Sequence, residues 1–183
     1  MNAEIPIHAR GTQRPAGGFT LVELLFVVAI IGLLAAISVP GLMRGRMSGN
    51  EASAIASMRT ITSAQAAFAS TCASGGYANT LADLAKPPVS GTAFVPADLG
   101  AAEPGGMPKS GYVFTVTGVG AVVTLAVDTC NSAADDAVAE FFVQGDPSDP
   151  GTTGVRFFAA DESGQLRQDS AQLADMLDGI PLK

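Results

Sequence analysis

The stretch GFTLVELLFVVAIIGLLAAISVPGLM, residues 18–43, decides the architecture. Between Phe19 and Met43 the only ionisable side chain is Glu23, and the uncharged run Leu24–Met43 is 20 residues long. Wound as a helix, such a run spans about 30 Å, the hydrocarbon thickness of a bilayer. A helix buried in a soluble core would show a polar face, and FVVAIIGLLAAISV shows none. A secretory signal peptide has an apolar region of only about 7–15 residues, closed by a small-residue cleavage site. Here the run is longer and flows straight into an amphipathic pattern. It reads as a membrane helix.

Glu23 is the anomaly in that helix. A carboxylate at full bilayer depth costs about 2.5–3.5 kcal/mol, and less toward the interface. Either it snorkels to the headgroups or it pairs with a positive charge inside an assembly. A cut after Gly18 would create such a charge, the new amine of Phe19, four residues away.

Gly18-Phe19-Thr20-Leu21-Val22-Glu23-Leu24 follows a short leader with Arg10 and Arg14 and precedes the apolar helix. In this the chain resembles the prepilin signature of type IV pilins and type II secretion pseudopilins. The resemblance is firm over residues 14–72 and loose beyond. It implies cleavage between Gly18 and Phe19 by a membrane-embedded prepilin peptidase, which also N-methylates Phe19. It implies that Glu23 is the acid used in assembly, paired with the Phe19 amine of a neighbouring subunit. Gly32 and Pro40 match the two positions between which the family's helix can melt in a filament. Pro40 removes a backbone donor and clashes with the preceding turn, so a simple bend there is an equal alternative to melting.

Basic residues flank the helix on both sides, Arg10 and Arg14 before it and Arg44 and Arg46 after it, so the charge rule for orientation is a tie. Cys72 and Cys130 are the only cysteines. In an exported domain such a pair reads as one disulfide, in the cytosol as two free thiols. With the resemblance, the pair places the N-terminus in the cytoplasm and exports the rest. A Cys72–Cys130 bond would then tie the helix end to the sheet.

The net charge is −7, and residues 1–18 hold two arginines against Glu4, so the remainder carries −8. An acidic body argues against generic nucleic-acid binding. His8 is the only histidine and lies in the leader, so the mature chain would lack the commonest general base and the commonest transition-metal ligand. No enzyme and no cofactor is expected.

Residues 51–72 continue the helix as an amphipathic segment, with Ala54, Met58, Ile61, Phe68 and Cys72 on one face and Glu51, Arg59, Ser63 and Ser70 elsewhere. One helix over roughly 19–71 is expected. Residues 73–110, rich in Gly, Ala and Pro, read as a long loop with a short helix at Thr80–Ala85; the resemblance makes this the variable connection exposed on a filament surface. Tyr112–Thr117 and Ala121–Asp128 read as a hairpin across Gly118-Val119-Gly120, Ala137–Gln144 as a third strand, and Val155–Ala160 with Gln165–Gln168 as a second hairpin. Ser170–Lys183 reads as a short docked helix with Leu173, Met176 and Leu177 on one face. Asp146 and Asp149, in a Gly/Asp/Pro stretch to which Asp135 and Asp136 could come near, are weak calcium candidates, although such clusters are normally turns.

The expected fold is therefore α+β and pilin-like: a long N-terminal helix with its hydrophobic half protruding, packed on an antiparallel sheet of about four strands. The expected divisions are a leader (1–18), a transmembrane and filament-core half-helix (19–50), and a head (51–183) comprising the amphipathic half-helix, the 73–110 connection, the 111–168 sheet and the 169–183 tail. The function implied by the resemblance is a structural subunit polymerising with its own kind into a type IV pilus. The alternatives are a type II secretion pseudopilin, or a minor pilin acting as an adhesin or DNA-binding module. The absence of Trp speaks modestly for the pilus, because pseudopilins commonly carry an Asp-Pro-Trp-Gly-like segment. Implied partners are the peptidase/N-methyltransferase, the inner-membrane assembly platform and, before assembly, the lipid bilayer. The implied location is the inner membrane first and a surface filament or periplasmic pseudopilus afterwards.

Overall fold

A computed structural model of the chain describes residues 18–175 and 178–182. Within these, one long helix, α1 (Leu21–Thr71), precedes two short ones, α2 (Leu81–Ala85) and α3 (Ala97–Gly100), and a sheet. The strands are β1 (Tyr112–Thr124), β2 (Ala137–Pro147), β3 (Phe157–Asp161), β4 (Arg167–Asp169) and β5 (Ile180–Pro181), with a single 3-10 turn at Ala126–Asp128. The chain divides into two compact units at Pro40/Gly41, each described by itself. In the first, α1 is exposed from end to end and apolar but for Glu23 and Ser38.

In the second unit α1 lays one stripe on the sheet. Ala54, Met58, Ile61 and Phe68 are fully buried and share a core with Tyr112 and Phe114 of β1, Phe141 and Val143 of β2, and Phe158 of β3. Packing there is close: a Cβ on Gly145 would come 3.2 Å from Met58 Sδ and 3.1 Å from the Phe114 ring, so the strand carries glycine where the helix crosses it. The α+β arrangement expected from the sequence is observed, with five antiparallel strands rather than about four, in the order β1-β2-β3-β4-β5.

Several local expectations are corrected. Residues 112–124 form one unbroken strand, not a hairpin: Gly118 faces Phe141 and Val119 faces Glu140 in register with β2. Gly118 is needed for close approach, since a Cβ there would sit 2.4 Å from Asn79 Oδ1 and 2.6 Å from Val138. Gly120, at φ +87°, lies within the register shift between Val119 and Val122. Ala126–Asp128, expected as strand, is the 3-10 turn.

The 73–110 connection is more ordered than a loop. Thr80 caps α2 by accepting the Asp83 amide, as its position suggests, and α3 forms where the sequence reads as loop. Val95, Leu99 and Ala102 are buried, and Tyr77 exchanges two backbone hydrogen bonds with Val138.

The tail is not helical over its described residues. The Asp178 carboxylate gathers the amides of Ala174 and Asp175 into a turn, Gly179 takes φ +84°, and β5 pairs with β4. Leu173 is buried, in a small cluster with Phe142 and Ala159. Met176, Leu177 and the leader residues Arg10 and Arg14 lie outside the described residues.

Candidate functional site

The helix begins with a reciprocal cap. Thr20 Oγ1 accepts the amide of Glu23 at 3.2 Å, while Glu23 Oε2 accepts the Thr20 amide at 3.1 Å and the Thr20 hydroxyl at 2.9 Å. Two backbone amides that the helix start leaves unpaired are thereby satisfied. The spacing Thr20-x-x-Glu23 is the sequence signature of a capping box. Gly18 and Phe19 precede the helix, exposed, and a Cβ on Gly18 would meet nothing within 4 Å among the described residues. Glu23 thus has a partner within its own chain, and its Oε1 makes no hydrogen bond among the described residues.

From Phe19, 79% exposed, to Met43, 49% exposed, every large apolar side chain faces outward. An apolar surface of this length and continuity demands a lipid or protein environment. Gly32 meets nothing and Pro40 lies inside α1, where its missing amide leaves the carbonyl of Ala36 without a helical donor. Ser38 hydroxyl donates to Leu34 O at 2.8 Å, a back-bond of the kind that bends helices.

Glu51 corrects the amphipathic reading, which put it away from the packed face. It is 6% exposed. Its Oε1 accepts the Val155 amide at 3.0 Å, and its Oε2 accepts Arg156 Nε at 2.8 Å and a second guanidinium nitrogen at 2.7 Å. Arg156 also donates to Gln168 at 2.8 Å and lies 5.6 Å from the Phe158 ring centre. Beside it, Asn50 donates to Thr153 O at 2.8 Å. Fully buried Gln65 makes a similar tie, giving and taking one hydrogen bond with the backbone of Ala78, both at 2.8 Å. The spacing 51, 54, 58, 61, 65, 68 alternates threes and fours, so both polar residues belong to the buried seam. The apolar pattern alone, which sets Glu51 off the packed face and leaves Gln65 unassigned, does not show this.

Cys72 and Cys130 form a disulfide with Cα atoms 4.7 Å apart, joining the end of α1 to the segment after β1. Asp146 and Asp149 are not brought into a cation site. Asp146 Oδ2 accepts from Gln172, its Oδ1 is buried with no hydrogen-bond partner among the described residues, and burial raises its pKa. Asp136 accepts the Ala126 amide instead, and no group of three or more potential metal ligands occurs among the described residues.

A family profile for the prokaryotic N-terminal methylation motif matches residues 13–39. The chain is 41% identical over 51 residues to the type IV major pilin protein PilA of Myxococcus xanthus, covering 28% of this chain and 23% of that one. It is 51% identical over 39 residues to the type IV wide pilus major component PilA4 of Thermus thermophilus, covering 21% of this chain and 30% of that one. The match thus spans under a third of either relative. No solved structure gives a significant match.

Proposed function

We propose that this chain is the precursor of a type IV pilin, a structural subunit that polymerises with further copies into a surface filament. The observation that carries the reading is the methylation motif at residues 13–39 set directly on an exposed apolar helix. The likeness to two major pilus components agrees with it.

In this reading residues 1–18 are a leader cut off by a prepilin peptidase between Gly18 and Phe19, and the new amine of Phe19 is N-methylated. Cutting ahead of the apolar run keeps it for two uses. As residues 19–50 of the precursor it anchors the chain in the inner membrane, N-terminus cytoplasmic. In the filament the same surface is buried against other copies, delivered there by an assembly platform in that membrane. A Glu23 carboxylate beside a neighbour's Phe19 amine neutralises two charges in a low-dielectric place and fixes axial register. Gly32 and Pro40 bound the stretch where α1 is weakest and where it could melt on packing. Residues 51–183 form the outer head, and the role is structural rather than catalytic.

The test is electron microscopy of filaments sheared from cells, with mass spectrometry of their main protein. Long filaments built from a chain starting at N-methylated Phe19 are expected. Short periplasmic assemblies alone would move the chain to the pseudopilins, and an intact leader on assembled subunits would overturn the cleavage assignment.

A further inference from the structure

The described basic residues of this protein fall into two groups. Arg44, Arg46 and Arg59, all on α1, are exposed and make no side-chain ion pair or hydrogen bond among the described residues. The described basic residues beyond α1 are all engaged: Lys86 with Ser132 O, Lys109 with Asp98, Arg156 with Glu51, and Arg167 with Gly179 O at 3.5 Å. Charge is segregated along the same line. Residues 72–183 hold fourteen acidic against five basic side chains, a balance of −9, while Glu51, one of two acids on α1, already belongs to Arg156. On the proposed topology Arg44 and Arg46 also oppose the charge rule that should orient the helix. Residues that break a local rule without a partner in their own chain point to a partner outside it.

The complementary surface is on the same molecule. Asp128, Asp135 and Glu140 are exposed and unpartnered among the described residues, at the end of the β1–β2 pair where Val119 faces Glu140 and Asp136 holds the Ala126 amide. Along that end β1 and the following turn expose a run of valines and a leucine, from Val119 at 36% to Val127 at 78%. An apolar patch rimmed by carboxylates has the make-up of a protein interface.

We infer that the exposed arginines of α1 dock on the acidic, valine-rich end of the β1–β2 pair of a second copy of this chain. This rests on the filament reading above and adds the surface by which one head meets the next. The two surfaces differ, so the contact is head-to-tail, and such contacts propagate into an open helical polymer. Like surfaces repel: acidic end against acidic end, and arginine against arginine, are both disfavoured. Charge therefore selects the growing arrangement over closed pairs.

Charge reversal in the full chain, expressed in cells that assemble the wild type, tests it. R44E/R46E/R59E and, separately, D128K/D135K/E140K are each expected to lower sheared-filament yield by about tenfold or more. Membrane accumulation and the Cys72–Cys130 bond stay at wild-type levels. The two sets combined in one chain restore assembly. Wild-type filament yield from either reversed chain, or no recovery on combination, overturns the inference. An arginine-reversed chain that fails to accumulate in the membrane assigns those arginines to anionic lipid, and overturns it too. A wild-type chain that never forms filaments is a different result: it removes the pilin reading and this contact with it.

Discussion

Glu23 and Thr20 hold each other: each side chain accepts the other's backbone amide, at 3.1 and 3.2 Å. One carboxylate therefore has two tasks, closing the helix start in the single chain and, in the proposed filament, meeting a neighbour's Phe19 amine. The tasks separate by substitution. Glu23→Gln keeps a side chain that caps at this position but removes the charge, so helix content by circular dichroism is unchanged and filaments are lost. Thr20→Ala costs about 1 kcal/mol of helix start and leaves the carboxylate, so filaments form. E23Q filaments at wild-type yield would show that the cap is all Glu23 supplies.

Glu51→Ala strips acceptors from the Val155 amide and from Arg156, the latter half-exposed and able to regain water. The loss expected in urea unfolding of the detergent-solubilised chain is about 2–3 kcal/mol. Arg156→Ala leaves Glu51 buried with one amide and loses a similar amount. A change under about 0.5 kcal/mol in both would mean that the seam is held by apolar contacts alone.

Replacing Cys72 and Cys130 together by Ala opens a loop with a sequence separation of 58. The chain-entropy description gives about 4 kcal/mol for such a closure. The mutant should be cut by protease within 73–129 under conditions that leave the parent intact. Equal resistance would locate the stability of that segment in Gln65, Tyr77 and the buried residues of α2 and α3.

Asp146 gives a pH signature. Burial, partly offset by the Gln172 hydrogen bond, raises its pKa above the ordinary 3.8. The folded chain then holds this proton more tightly than the unfolded one. Stability is favoured at low pH and declines as pH rises from the ordinary value through the raised one. Asp146→Asn, which can still accept from Gln172, should melt higher than the parent at pH 7, with the gap closing below roughly pH 4. A constant gap across the range would show that the carboxylate is not the cause.

What the sequence made legible tracks what composition and period can carry. The apolar run announced α1 because nothing else needs 20 uncharged residues, and Ala54, Met58, Ile61 and Phe68 announced its buried face by spacing. Gly118–Gly120 was misread because glycine marks a tight turn, a bulge and a close approach alike. Only the position of Asn79, 39 residues away in sequence, decides among them. α3 has four residues, too few for any period to show. Glu51 and Gln65 sat on the right spacing, and their burial depended on acceptors and donors supplied from Val155, Arg156 and Ala78.

The strands lie in the sheet in the order in which they occur in the chain. Each pairs with the one just before it, so loop closure costs little at each step. The bonds from Asn50 and Glu51 to Thr153, Val155 and Arg156 instead span 103 to 105 residues. Folding should therefore proceed as a local zippering of strands followed by a separate, later docking of the helix. Weakening the Glu51–Arg156 seam would expose an intermediate with its sheet paired and its helix loose. On the proposed topology, with the helix held in the membrane from the start, the last native contact to form is then the one that sets the helix against the body it has to carry.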